Sequence, residues 1–557
     1  MVEYSPGTEV DFVIIGSGAA GGIMAKELSV AGFSVVVLEQ GSWGAYGHEQ
    51  DYNKDELLNM YPPTLADRLM SDPVVRQPNT FRRNDKEKAV RGNHSYGCVV
   101  GGGTVTYGGS SWRHLPYEFN EATRVGTIAG TGLADWPVTY DEMEPYYTKA
   151  EWQIGIAGLR VDSPFFAPMS KPYPVKSQPL KASGALFEVA ARKLGLTVVP
   201  NVAAIITEPY QGRAACINCG MCGGFGCQVK ARSSSAVTMF PIALNTGRCE
   251  IRVNSYVREI SVDNKGRVTG AVYFDAEKQE IFQKAKAVVL SANGTESPRL
   301  LLLSKSARFP DGLANSSGVV GKYLMSGNFG GATGLFEHPL NEFKGCVTGS
   351  AILDYVNTDP KRGFYGGGRM TARGQQSPIQ YGLGGPHDAP SWGAGYKKAL
   401  KEEANRKLTI ATFITQLPLE TNRVDLDSDV KDAWGLPAMR ITMTSHPDDF
   451  KSMEFFRQKS AEILQAAGAT TVWSQPVTDS RGGAHSRGTC RMGNDPRTSV
   501  VDRWHRAHDV PNLFIVDGSS MVTGGRNHPT MTIQALAFRA AEHLVSEAKS
   551  GNLASSV

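Results

Sequence analysis

Asp11-Phe-Val-Ile-Ile-Gly16-Ser-Gly18-Ala-Ala-Gly21 opens the first apolar run, and 23 residues after Gly16 a second run ends at Val37-Leu38-Glu39-Gln40-Gly41. The order is strand, glycine turn, helix and second strand closing on an acid, within one βαβ unit. Gly16 permits the tight turn, and Gly18 lets the backbone approach a pyrophosphate at the positive end of the helix. Gly21 lets helix and strand pack closely, and Glu39 is placed to accept hydrogen bonds from a ribose. A lone glycine fingerprint is a weak signal. Here strand, helix and acid accompany it, so the unit reads as a dinucleotide site rather than an ordinary glycine-rich turn. The motif alone does not separate NAD from FAD.

Beyond this unit comes a polar stretch near Asp51–Arg83, read as helical, and then a glycine-dense segment, Gly97-Cys-Val-Val-Gly101-Gly-Gly-Thr104-Val-Thr-Tyr107-Gly-Gly-Ser110-Ser111. Glycines in this density, without a repeat, suggest backbone laid against a flat ligand, with Gly102, Gly103 and Thr104 as candidate contacts. A loose surface loop is the alternative, which the hydrophobic residues alternating through the segment speak against. Residues 133–157 start a helix that Thr139 can cap with Glu142 as capping-box partner, and 181–200 read as a helix running into a strand. Cys249–Val272 shows short β runs around an Asn-Lys-Gly turn at 264–266. Lys286–Leu302 reads as a buried strand, a glycine turn and a helix with Pro298 in its first turn. Residues 326–477 mix aromatics, glycines, β runs (Leu408–Gln416, Met439–Met443) and one amphipathic helix near Pro447–Ala467. From 478 the glycine motifs return, with the strand Leu513-Phe-Ile-Val-Asp517-Gly518 and a long helix near Pro529–Lys549.

The expected fold is therefore α/β (α+β overall): a Rossmann-like nucleotide domain built from 1–325 and 478–557, with a cysteine-rich insertion at 213–230, and a sheet-and-helix substrate domain at 326–477. At 557 residues with 61 glycines the composition is globular and rich in turns. A net charge of +4 over that length argues for neither nucleic acid nor an anionic membrane as partner. No apolar run reaches the ~18 residues of a spanning helix. The N-terminus lacks the basic stretch and apolar core of a secretion signal. Location stays open between the cytoplasm, a processed precursor, and export to the periplasm with a partner subunit.

Two histidines sit in turns at the edge of the nucleotide sheet, where α/β proteins bind ligands. One is His485 in Gly482-Gly-Ala-His485-Ser-Arg-Gly488-Thr-Cys490; the other is His528 in Gly525-Arg-Asn527-His528-Pro529. Asp517 and Gly518, at the strand end between them, are further candidates for cofactor contact. A single histidine is more often structural than catalytic; two in such turns point to a site.

These residues carry a family resemblance. The opening glycine unit with Glu39, the Gly101–Ser111 segment, the Ser291–Leu302 strand-turn-helix and the His485…Asp517-Gly-Ser…His528-Pro block occur in the order found in glucose–methanol–choline (GMC) flavin oxidoreductases. The match runs nearly end to end. The resemblance implies FAD rather than NAD, and oxidation of an alcohol C–OH to a carbonyl by hydride transfer to flavin N5. It places His485 at the active-site base and His528 where members carry a histidine or asparagine that binds the hydroxyl. An imidazole titrating near neutrality suits the proton uptake that must accompany hydride loss. Some relatives attach the flavin covalently through a histidine of the glycine segment; the matching position here is Thr106, so the flavin is expected to be non-covalent. His94 and His114 lie nearby but out of register.

Four of eight cysteines fall in Cys216-Ile-Asn-Cys219-Gly-Met-Cys222-Gly-Gly-Phe-Gly-Cys227. The spacing is like that of iron–sulfur thiolates, with structural zinc, disulfides or plain thiols as alternatives. It also resembles the cysteine-rich insertion of the family's gluconate, fructose and glucoside dehydrogenases, which carry an iron–sulfur cluster. Which three of the four would ligate is left open. The implied activity is a dehydrogenase acting on a sugar, glycoside or polyol with a non-NAD acceptor, with a small helper subunit and a cytochrome as candidate partners. An oxidase making hydrogen peroxide is the alternative, followed by a flavin-containing lyase and a flavin electron carrier. Phe364, Tyr365, Tyr381, Trp392 and Tyr396 are candidates to stack on sugar rings, or else core and lid packing.

Overall fold

The computed structural model describes residues 2–43, 78–94, 96–220, 222, 226–346, 349–373, 385–479, 482–483 and 485–555. One of its sheets has seven strands. Val10–Ile15 pairs in parallel with Val35–Leu38 on one side and with Glu280–Leu290 on the other, and Val35–Leu38 continues to Cys249–Arg252. Val10–Ile15 and Val35–Leu38 are almost wholly buried, as parallel strands covered on both faces must be. Glu280–Leu290 is long enough to serve two more neighbours besides Val10–Ile15: its first half pairs with Val268–Phe274, which continues to Tyr256–Val262, and its last residues pair with Leu513–Ile515. Residues far apart in the chain thus meet at one sheet edge.

A second sheet of six strands, antiparallel throughout, has the order Thr471–Trp473, Asn328–Leu335, Lys407–Ile414, Gly368–Arg373, Ser350–Ile352, Val198–Pro200. Its pleat sorts side chains by face. Met370, Ala372, Ile410 and Ile414 pack on Met453, Phe456, Ile463 and Leu464 of the helix Pro447–Ala466. The opposite face carries Arg369, Arg373, Phe329 and Phe413: Arg369 and Phe329 each stand directly across from Phe413, and Arg373 is four residues past Arg369.

The capped helix occurs as read, Tyr140–Ile154 with the Thr139/Glu142 capping box, and the terminal helix spans Thr530–Lys549. Three readings differ. Of the polar stretch near Asp51–Arg83, residues 51–77 lie outside the described residues, while Asn79–Arg82 is a strand, not a helix. It is drawn into a four-stranded sheet by parallel pairing with Met439–Thr442. The helix after Glu280–Leu290 begins at Asn293, so Pro298 falls beyond the first turn. Having no N–H, it leaves the Gly294 carbonyl free, and the Thr489 hydroxyl donates to that oxygen at 2.7 Å. Finally, Val198–Pro200 and the helix Ala182–Leu194 pack with the second sheet, although they precede residue 326.

Candidate active site

A cleft of about 500 Å³ runs along the carboxyl edge of the parallel strands and under the second sheet. Gly16, Gly18, Glu39, Gly102, Gly103, Thr104, Asp517 and Gly518 line it, as do His485 and His528. Gly21 stands behind, where a Cβ would lie 2.0 Å from the Gly16 carbonyl oxygen; its role is packing, as read. Gly18 faces open space, and no side chain caps the first turn of the helix Ala19–Val30, leaving its N–H groups available to a phosphate. Gly102 has φ +54°, and a Cβ there would lie 2.9 Å from Gly18 Cα, so the two glycine segments touch along their backbones. The fit to a dinucleotide is one of shape and donors together.

Glu39 is buried. It accepts from Ser17 N at 3.1 Å and Ser17 Oγ at 2.5 Å through one oxygen, and from Gly41 N at 3.0 Å through the other. Burial raises its carboxyl, against those hydrogen bonds. Ser17 Oγ also accepts from Gly101 N at 3.1 Å, locking the first turn to the glycine segment. Asp517 takes Asn293 N at 3.0 Å, Ser297 Oγ at 2.5 Å and Ser519 N at 2.7 Å. It thereby pins the N-terminus of the helix Asn293–Leu303 at the cleft wall. Asn293, at φ +82°, caps that helix itself through Thr295 N and Glu296 N.

The His485 and His528 rings meet edge to face with centroids 4.8 Å apart. Phe413 packs on both, at 5.2 and 4.8 Å. Burial, then the charges of Arg487 and Arg373, push His485 down to about 3. His528 is pushed well below the usual histidine range by burial and by His485 itself. Both imidazoles are therefore neutral at neutral pH and able to take a proton. Among the described residues neither ring has a hydrogen-bond partner, so both face the cleft unsatisfied.

The loops bearing them are fixed on either side. Around His485, Arg487 pairs backbone to backbone with Met325, Gly488 N donates to Gly518, and Cys490 N donates to Ser519. Ahead of His528, Asn527 Nδ2 donates to the Arg113 carbonyl at 3.0 Å, and Arg526 N donates to Glu118 at 2.8 Å. Arg113 is in turn held by a bidentate pair with buried Glu151, both contacts 2.7 Å. The sequence reading passed over Ser17, Asn293, Phe413, Arg373, Thr489 and Asn527. Ser17, Asn293, Thr489 and Asn527 lie inside the motifs quoted above; Phe413 and Arg373 carry no local mark.

Of the aromatics put forward for sugar stacking, none described lines the cleft. Phe364 packs on Phe455 and Phe456 in the core, Tyr365 is buried beside Arg526, and Trp392 is 83% exposed. Tyr396 lies against Gly385, and Tyr381 lies outside the described residues. Thr106 lines the cleft. His94 instead bonds Thr295 Oγ1 at 3.1 Å, and His114 is buried against Gly525.

Of the cysteine segment, Cys216, Cys222 and Cys227 are half-buried and Cys219 exposed; 221 and 223–225 lie outside the described residues. Cys216 and Cys222 pack in one apolar cluster with Cys346, and Cys216 and Cys227 in another. Among the described residues no three such donors are gathered as a metal ion would need. Buried Arg232 bridges this segment to the cleft wall, donating to the carbonyls of Cys222 and Val105.

A nucleotide cleft roofed by an antiparallel sheet, with two neutral imidazoles at its edge, defines a flavin-type oxidoreductase architecture. The GMC oxidoreductase family models match residues 10–325 and 418–537. The chain belongs to the GMC oxidoreductase family, and FAD is the cofactor that goes with this cleft. It is similar to a 2-methyl-1,2-propanediol dehydrogenase of Mycolicibacterium austroafricanum, 35% identical over 96% of this chain and 95% of that one. It is also similar to the fructose dehydrogenase large subunit of Gluconobacter japonicus, 30% identical over 97% and 98%. Among solved structures, formate oxidase superposes with a TM-score of 0.65 over 99% of this chain and 100% of that one, at 15% identity, a likeness of fold. Among the described residues no helix is long and apolar enough to cross a membrane.

Proposed function

We propose that this protein is an FAD-dependent dehydrogenase that oxidises a C–OH of a sugar, glycoside or polyol to a carbonyl and hands the electrons to an acceptor other than NAD. The supporting observation is the pair of imidazoles, 4.8 Å apart, in the cleft that the nucleotide motifs line. FAD, when bound along Gly16–Gly18, Glu39, Gly102–Thr104 and Asp517–Gly518, supplies the hydride acceptor. His485 takes the hydroxyl proton as the carbonyl forms, and His528 holds the same oxygen so that the carbinol C–H is correctly aimed. The buried Phe413 ring packs on both imidazoles, and a dry surface at this end of the cleft strengthens both contacts. Thr106 at the attachment position supports a flavin held without a covalent bond.

The preference for a dehydrogenase over an oxidase rests on the cysteine segment as a one-electron centre, with iron–sulfur the leading composition. Its support is four thiols within twelve residues, joined to the cleft wall by Arg232. As described, the thiols are not gathered, so no step is routed through them. The test is an anaerobic screen of sugars and polyols for bleaching of the flavin, with an iron assay on the same sample and a peroxide assay in air. Bleaching with iron present and little peroxide is expected. Stoichiometric peroxide from an iron-free yellow protein would assign the oxidase reading instead.

A further inference from the structure

The roof of the cleft carries positive charge that the reaction above does not use. Arg373 ends the strand Gly368–Arg373 on the face that meets the histidines and lines the cleft beside them. Its Nε is buried without a partner, and among the described residues no carboxylate pairs with its guanidinium. Arg369, on the same face, stacks on Trp112 at 3.9 Å and leaves Nε and Nη1 unpartnered. Arg487 donates Nη1 to the His485 carbonyl at 2.9 Å and leaves Nε and Nη2 unpartnered. The charges of all three act on the His528 ring. Glu118, whose charge acts on Arg369 and Arg487, is already engaged by the Arg526 guanidinium and by Leu115 N and Arg526 N. The acids that do line the cleft, Glu39, Glu296 and Asp517, stand on the nucleotide side. Glu39 and Asp517 are held by the contacts above, and Glu296 by Tyr96 and Arg299.

Desolvated guanidinium groups without a counter-charge are costly, and a planar fork with free N–H donors is the geometry that recognises a carboxylate. We propose that Arg373 is a specificity-determining residue, and that the alcohol oxidised here bears an anionic group, a carboxylate, which Arg373 binds while His485 and His528 hold the reacting hydroxyl. The substrate class is then a hydroxy acid. The assignment rests on the alcohol-oxidising reading and narrows it.

The experiment compares length-matched pairs, gluconate against glucitol and glycerate against glycerol, on the FAD-loaded enzyme and on Arg373→Met and Arg373→Lys. The ratio of kcat/KM for acid over neutral partner should favour the acid and fall roughly 10- to 100-fold in Arg373→Met, the loss of one charged hydrogen-bonded contact. Arg373→Lys should recover part of that ratio. Independently of turnover, acetate titrated into the resting oxidised enzyme should perturb the flavin spectrum, weaken with added salt and fail in Arg373→Met. Flavin content and Tm of each variant verify folding. Neutral partners preferred by the wild type, no acetate perturbation, or a ratio unmoved by Arg373→Met would overturn the proposal. Acetate binding without bleaching by any alcohol would instead remove the alcohol-oxidising reading and leave the anion subsite standing.

Discussion

Two imidazoles this close in a desolvated wall cannot both carry protons, because each charged ring raises the cost of charging the other. His485 and His528 are depressed in the direction this requires, by burial first and by neighbouring positive charge second. A group whose proton affinity falls keeps its neutral form to lower pH. The pH profile of kcat/KM should therefore show no acid limb near 6.5, the ordinary histidine value, and a histidine limb only near pH 3. A limb centred near 6.5 in the free enzyme would show that the rings are solvated and that the site is more open than described.

The helix Asn293–Leu303 shows why local signals located an element but misplaced its start. Its strand-turn-helix pattern was readable from Leu290 to Leu302, yet the N-terminus is set by Asp517, 224 residues away, acting on Asn293 N. Pro298 then breaks one helical hydrogen bond, and Thr489 from the His485 loop supplies the missing donor. That exchange couples the helix to the His485 loop. Thr489→Val removes the donor and leaves a buried carbonyl unsatisfied, so urea unfolding should show a loss of about 1–3 kcal/mol, with slower turnover as the loop shifts. A loss under about 0.5 kcal/mol, the range of an ordinary surface change, would contradict the coupling. Gly294→Ala should do worse, since its Cβ would lie 2.0 Å from the Ser486 carbonyl oxygen; unchanged flavin reduction in that variant would contradict the close fit.

At the scale of the molecule, what could be read in advance was what the chain specifies within a short span. The βαβ unit, the Thr139 cap and the turn at 264–266 are all local. Phe413 and Arg373 were not readable, because only the register of Asn328–Leu335, Lys407–Ile414 and Gly368–Arg373 decides which side chains face the histidines. Asn79–Arg82 was misread for the same reason, its partner being more than 350 residues away. Since the cleft lies between the two sheets and draws on both ends of the chain, bound FAD should stabilise the whole fold. Its removal should lower Tm, and added FAD at 100 times its Kd should restore about 2.7 kcal/mol. A Tm indifferent to FAD would mean that the cleft closes without it.

The most direct measurement is the rate of flavin bleaching in a single anaerobic turnover, in the wild type and in His485→Ala loaded with the same amount of FAD. The account predicts fast bleaching by an alcohol in the wild type and a rate lower by roughly 10²–10⁴-fold in the variant, the range for a lost general base. Equal rates in the two proteins would contradict it, as would a wild-type flavin that no alcohol reduces.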